Sequence, residues 1–206
     1  MTYSYILSQI NGQTYNLKIK GKHNNILYNT ITNIIKTAII TKDELVFVAE
    51  NVISFSDYIK KYNSSHSKCI KLIDDISKQI FYIQRLGYCF YGFDINDILV
   101  IDDTFILCNT KYLLPLEDEY IYFLSPFEKP NFSSPELIKL SKLPSKVHYK
   151  CSYYSLGLLV IFYIFLELNT SKEIEDILKP IYNTKIYWFL KRCLNEVTNK
   201  RILLLI

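Results

Sequence analysis

Asp94, Asp97, Asp102 and Asp103 crowd into one short stretch. Carboxylates at this density can ligate a hard divalent cation or take a proton from a substrate hydroxyl. Aspartate also closes turns by bonding to nearby backbone N–H groups. The spacing serves both uses, so Asp94 and Asp97 stand as weak candidates for metal or nucleotide contact beside the plainer role of capping turns around a hairpin.

Other chemistry finds less support. His23, His66 and His148 are isolated, and no Ser or Cys sits in a nucleophile context such as GxSxG. The five cysteines, Cys69, Cys89, Cys108, Cys151 and Cys193, are widely spaced, with no CxxC pair and no His at ligand spacing. They read as reduced and buried thiols of a cytosol-like compartment. No GxGxxG loop is available to cradle phosphates, since the N-terminal glycines are Gly12 and Gly21. Lys18 or Lys20 could imitate a phosphate-binding lysine, although an exposed strand lysine is the simpler reading.

The elements that position these residues follow from periodicity. Residues 3–20 alternate apolar and polar around Asn11-Gly12, a dipeptide suited to a type I′ turn, and predict a β-hairpin. Residues 24–36 permit a helix, but their β-branched content opposes it, and the conformation stays open. A second hairpin is expected from Thr37–Ile40 and Leu45–Ala49. Ser54 and Asp57 are placed as a capping pair for a short helix. A longer helix spans Ile70–Leu86, with Ile70, Ile73, Ile76, Ile80, Ile83 and Leu86 on one stripe, Lys71, Asp74, Asp75 and Lys78 largely opposite, and Gly87 as its stop. Asp102-Asp103-Thr104 turns between two apolar strands. Residues 111–150 read as loop. Helices follow from Tyr153 to about Leu168, near Glu173–Leu178, and from Asn183 to about Leu194.

Composition narrows the class. Half of the 206 residues are apolar or aromatic and Gly and Pro are few, which excludes disordered and collagen-like chains. The formal charge of +4 is mild and its lysines are scattered, so no nucleic-acid footprint is expected. The N-terminus lacks the pattern of a signal peptide. The most membrane-like stretch, Leu156–Phe165, falls short of the roughly 20 residues a span needs, so no membrane association is expected. Tyr88, Tyr91, Tyr120, Tyr122, Tyr182 and Tyr187 could form an interaction face or ordinary core edge. Abundant Ile, Lys, Asn and Tyr fit an AT-rich genome such as that of a large DNA virus.

Taken in order, the segments resemble the protein kinases over residues 44–206. Glu44–Glu50 followed by Phe55-Ser56-Asp57-Tyr58-Ile59 resembles the last small-lobe strand, the hinge and the first large-lobe helix. Gly87–Val100 aligns without gaps to the catalytic loop GxxHRDLKPENILV. Ser134-Pro135-Glu136 resembles the Ala-Pro-Glu that ends the activation segment, Tyr153–Leu159 resembles VWSLGVIL, and Phe189–Arg201 resembles the conserved C-terminal arginine motif. The resemblance implies an α+β, kinase-like fold, with a reduced β-rich N-lobe over residues 1–50 and a mainly helical C-lobe over residues 51–206.

The same alignment implies lost chemistry. Phosphoryl transfer needs a base, metal ligands, a lysine with its partner and a glycine-rich cover. Phe90 takes the histidine place, Gly92 that of the catalytic aspartate, Asp97 that of the metal-binding asparagine, and Asn109 that of the magnesium-binding aspartate. Ser152 stands where kinases have the buried aspartate that holds the catalytic-loop backbone. Glu136 and Arg201 would form the buried ion pair that locks the activation segment. The implied protein is a pseudokinase: not an enzyme, without cofactor or metal, not binding ATP, acting as an intracellular scaffold or regulator for a protein partner in the cytoplasm, in the host cytoplasm or virion if viral. Two rivals stand beside it. One is an atypical phosphotransferase using Asp94 and Asp97 with a metal; the other is a structural or assembly protein of a virus.

Overall fold

The computed structural model describes residues 5–166 and 173–204. Residues 3 and 4 of the first predicted hairpin, the predicted helix end near Leu168 and the last two residues of the resemblance lie outside them. The fold is mixed α and β with small antiparallel sheets, compatible with α+β.

Strands β1 (Tyr5–Asn11) and β2 (Thr14–Ile19) form the expected hairpin. Its loop differs from the expected type I′ turn. Asn11 pairs with Thr14, so Gly12 and Gln13 are the central residues, and of the two only Gly12 has positive φ, at 47°. Glycine at the first central position is the type II′ requirement. The open segment is a helix, α1 (Asn24–Ile34), buried through Leu27, Tyr28, Thr30 and Ile31. Tertiary burial of that one face overrides its β-branched content. Tyr28 fastens it: its hydroxyl accepts from Ile19 N–H (2.9 Å) and donates to the Asp43 carbonyl (2.8 Å). β3 (Ile39–Thr41) and β4 (Glu44–Val48) complete a four-stranded sheet in the order β1-β2-β4-β3.

β5 (Val52–Ser54) leads into α2 (Phe55–Lys61), where the Ser54 hydroxyl accepts from Asp57 N–H (3.1 Å) and donates to the Asp57 carboxylate (2.6 Å). α3 (His66–Arg85) starts four residues earlier than its stripe predicts, because Ser65 caps it by accepting from Lys68 N–H. Its buried face also differs: Asp75 and Gln79 are buried, whereas Leu86 is exposed. β6 (Tyr88–Phe90) and β7 (Gly92–Phe93) follow, then a 3-10 turn over Ile95–Asp97. β8 (Ile98–Ile101) and β9 (Thr104–Leu107) make the third hairpin, with Asp102 and Asp103 both at positive φ, 46° and 61°.

That hairpin explains the buried polar residues of α3. β9 is the edge of the sheet β5-β8-β9. Asp75 accepts from Phe105 N–H (3.0 Å), while Gln79 donates to the Phe105 carbonyl (2.7 Å) and accepts from Leu107 N–H (2.8 Å). Two side chains of one helix thus take the place of a neighbouring strand, as buried backbone groups require.

The stretch expected to be loop carries β10 (Leu113–Pro115), β11 (Tyr120–Phe123), β12 (Phe132–Ser133), α4 (Pro135–Lys139) and β13 (Ser145–His148). β10 pairs with β6 and β12 with β7, so partners distant in sequence decide these strands. α5 (Cys151–Phe165) is buried nearly all round, as its unbroken apolar run demands, and ends at Leu166 in a left-handed cap. α6 (Ile174–Leu178) and α7 (Lys185–Cys193) close the chain, the latter capped by Thr184 accepting from Tyr187 N–H. Among the described residues no helix is long and apolar enough to cross a membrane. One contiguous core runs from Tyr5 to Leu203, across the expected boundary at residue 50.

Candidate functional site

The acidic cluster sits where α3 hands the chain to three short antiparallel ladders. Gly87 takes φ 78° beyond the last helical turn, and its carbonyl accepts from Leu116 N–H (2.8 Å). β6 and β7 then run inward, and Phe90 and Phe93 pack ring to ring in the core. Gly92 lies between β12 and Pro130. A Cβ built on it would stand 2.2 Å from Pro130 Cγ and 2.9 Å from the Phe132 carbonyl oxygen. A side chain at position 92 would collide with both.

Asp94 and Asp97 are each held by protein donors. Asp94 Oδ1 accepts from Asn131 N–H (2.6 Å), and Oδ2 accepts from the Tyr112 hydroxyl. Asp97 Oδ2 accepts from Asp94 N–H (2.6 Å), and Oδ1 accepts from the Asn109 side-chain amide. Asn109 Oδ1 in turn accepts from Lys111 N–H (2.8 Å). Burial pushes the Asp97 carboxyl up to about 7, against the pull of the Asn109 amide and the Asp94 N–H. Burial first, and Asp94 second, also raise the Tyr112 hydroxyl. Both oxygens of both carboxylates are engaged, and Asp97 is only 4% exposed. A general base must reach the proton that it removes. Asp97 is closed off by burial, whereas Asp94 is half-buried with one donor on each oxygen.

Asp102 and Asp103 serve the hairpin. Asp102 Oδ1 accepts from Asn51 N–H (2.8 Å), and Asp102 N–H returns a bond to the Asn51 carbonyl (3.0 Å). This latch ties the tip of β8–β9 to the link between β4 and β5. Asp103 faces the Tyr58 hydroxyl at 3.5 Å. The four aspartates therefore split into a buried pair and a turn pair, and do not converge on one point. Among the described residues no group of three or more His, Cys, Asp or Glu side chains is placed to hold a metal ion.

Glu136 and Arg201, 65 residues apart, meet in a bidentate ion pair, with Arg201 Nη1 at 2.5 Å and Nη2 at 2.9 Å from the two carboxylate oxygens. Arg201 is fully buried. It also donates Nε–H to the Asn195 carbonyl (2.8 Å) and stacks its guanidinium over Tyr154, 4.8 Å from the ring centre. Burial raises the Glu136 carboxyl, but the hydrogen bonds and charge of Arg201 outweigh it and hold the group below its usual range.

No protein-family model and no curated protein matches the chain.

The remaining residues singled out in the sequence disperse. Lys18 lies on the exposed face of β2 and pairs with Glu44 (3.5 Å), away from the Asp97 network. Ser152 donates to the Tyr149 carbonyl (2.8 Å), just before α5, an acceptor that it shares with the Cys89 thiol (3.4 Å). The five cysteines are free and buried. Tyr91 is core, its ring packed on Tyr112, Phe123 and Phe127, whereas Tyr122 and Tyr182 are exposed. Pattern reading missed Tyr112, Pro130 and Asn131, which hold Asp94 or seal Gly92. Nothing local marks them, since their partners lie 18 to 38 residues away.

Proposed function

We propose that this chain is a catalytically inactive, protein kinase-like protein with a reduced small lobe, which acts by binding another protein. The observation that carries the reading is Gly92. The catalytic position lacks a carboxylate, and the neighbouring Pro130 ring and Phe132 carbonyl fill the space that one would need. The order of elements supports the kinase-like half: a small sheet with one helix, a capped short helix, a long helix, a β-hairpin, a run of short strands with one short helix, and a buried apolar helix. So does the Glu136–Arg201 pair, which joins the two motifs that the resemblance pairs.

The rival reading, a phosphotransferase using Asp94 and Asp97, requires a carboxylate open to substrate or metal. Both are engaged by Tyr112, Asn131, Asn109 and backbone, which favours a structural role. The partner-binding half rests on exposed aromatic side chains at the start of α7, where Tyr182 and Trp188 are 66% and 46% exposed and both contact the Tyr187 ring. Large aromatics carry a disproportionate share of interface energy.

The test is a thermal-shift titration with ATP and Mg²⁺, run beside a transfer assay with labelled ATP. A ligand that binds only the folded chain raises its melting temperature by mass action. The expected result is no magnesium-dependent shift at millimolar nucleotide and no labelled product. A magnesium-dependent shift that disappears in Asp97→Ala, together with phosphate transfer, would sink the proposal in favour of the rival.

A further inference from the structure

A cleft of about 460 Å³ opens between the link from β2 to α1 and the segment 109–114. Its lining includes Lys20, Lys22, His23 and Lys111, with Leu113 and Leu114 on an apolar wall, and no carboxylate. Lys111 Nζ is held by Glu128 at 2.7 Å. Among the described residues no carboxylate lies within ion-pair distance of Lys20 or Lys22. α1 starts at the same wall: His23 is its N-cap, at φ 65°, and makes no side-chain capping bond to the first-turn N–H groups.

The two walls are pinned together. The Thr110 hydroxyl donates to the Lys20 carbonyl (3.0 Å). Gly21 takes φ 107°, and a Cβ there would stand 2.6 Å from Thr110 Oγ1, so only glycine permits this approach. The cations are therefore carried on a link fixed at both ends, which lowers the ordering cost of binding. A concave site lined by one sign of charge focuses its field and concentrates counter-ions.

We propose that this cleft binds a phosphate monoester. The cationic rim suits a phosphoryl dianion. The cleft far exceeds a lone phosphate ion in volume, and the wall of Leu113 and Leu114 offers the organic group an apolar surface. Asn109 and Thr110 complete the lining, and Asp97 takes no part in it.

Isothermal titration calorimetry at fixed ionic strength, with phenyl phosphate, inorganic phosphate and phenol as probes, tests it. Phenyl phosphate is expected to bind saturably and more tightly than inorganic phosphate, with phenol silent. The double variant Lys20→Glu/Lys22→Glu, at exposed positions, keeps the unliganded melting temperature and weakens phenyl phosphate by about tenfold or more. A phosphotyrosyl peptide in a further arm separates the two sources: tighter binding than phenyl phosphate assigns a phosphorylated chain, equal or weaker binding a free ester. The proposal is overturned by non-saturable binding, by phenol binding as well as phenyl phosphate does, or by an unchanged affinity in the double variant.

Discussion

The side-chain amide of Asn109 donates to the buried carboxylate of Asp97, joining two residues twelve positions apart across the β8–β9 hairpin. Where a cation-binding centre would leave its oxygen ligands open, this pair closes on itself. The Asp94 N–H occupies the second oxygen of Asp97.

The pair has a pH consequence. Asp97 sits at about 7 in the folded chain, above the roughly 3.9 of an unfolded aspartate, so between those values the folded chain holds the extra proton. Its contribution is fully present below pH ~4 and is lost as pH rises towards 7, at up to about 1.4 kcal/mol per pH unit. Urea melts from pH 4 to 8 should show this decline. Asp97→Asn should flatten it; an unaltered slope in that variant would assign the titration elsewhere.

Breaking the Glu136–Arg201 pair should be among the costliest single changes. Glu136→Ala strands a fully buried guanidinium, at about 3–5 kcal/mol. The double variant Glu136→Leu/Arg201→Met should cost clearly less than the sum of its singles, a coupling that a denaturant double-mutant cycle reads directly. Additive costs would mean that the two residues act independently. Because Arg201 holds Glu136 below its ordinary range, this contribution is present above the unfolded pKa and fades as pH falls through the folded one.

Gln79→Leu keeps bulk but removes both bonds to the edge of β9. Leaving the Phe105 carbonyl and Leu107 N–H unpaired should cost about 1–3 kcal/mol for each group. Hydrogen exchange at the Leu107 amide should accelerate more than at Leu99, on the inner strand β8. Equal protection at both sites would show that the clamp does not hold this edge.

Gly92→Ala should destabilise by about 1–3 kcal/mol through overpacking against Pro130, and Pro130→Ala, which removes the Cγ atom, should recover part of that loss. Gly92→Asp should not confer phosphate transfer, because the new side chain has no space to enter. Thermal melts and a labelled-ATP assay read the two halves separately, and transfer by Gly92→Asp would refute the sealed site.

Local pattern carried a large part of the architecture. Alternation around Gly12, the Ser54 and Asp57 caps, the stop at Gly87, the Asp102-Asp103 turn and the apolar run of α5 each depend on neighbours a few positions away, and each was legible in the chain itself. What tertiary structure alone decided involves partners far apart. The 24–36 segment became a helix because α3 and the sheet together bury one of its faces. Strands β10 and β12 exist because β6 and β7 pair with them. Asp75 and Gln79 turn inward because an edge strand needs their bonds. Spacing leaves Asp94 and Asp97 as weak ligand candidates beside the plainer role of turn caps, since aspartate can serve either. Tyr112, Asn109 and the Asn131 backbone N–H, brought in by the fold from distant positions, each donate to one of these carboxylate oxygens, and no local pattern marks those partners.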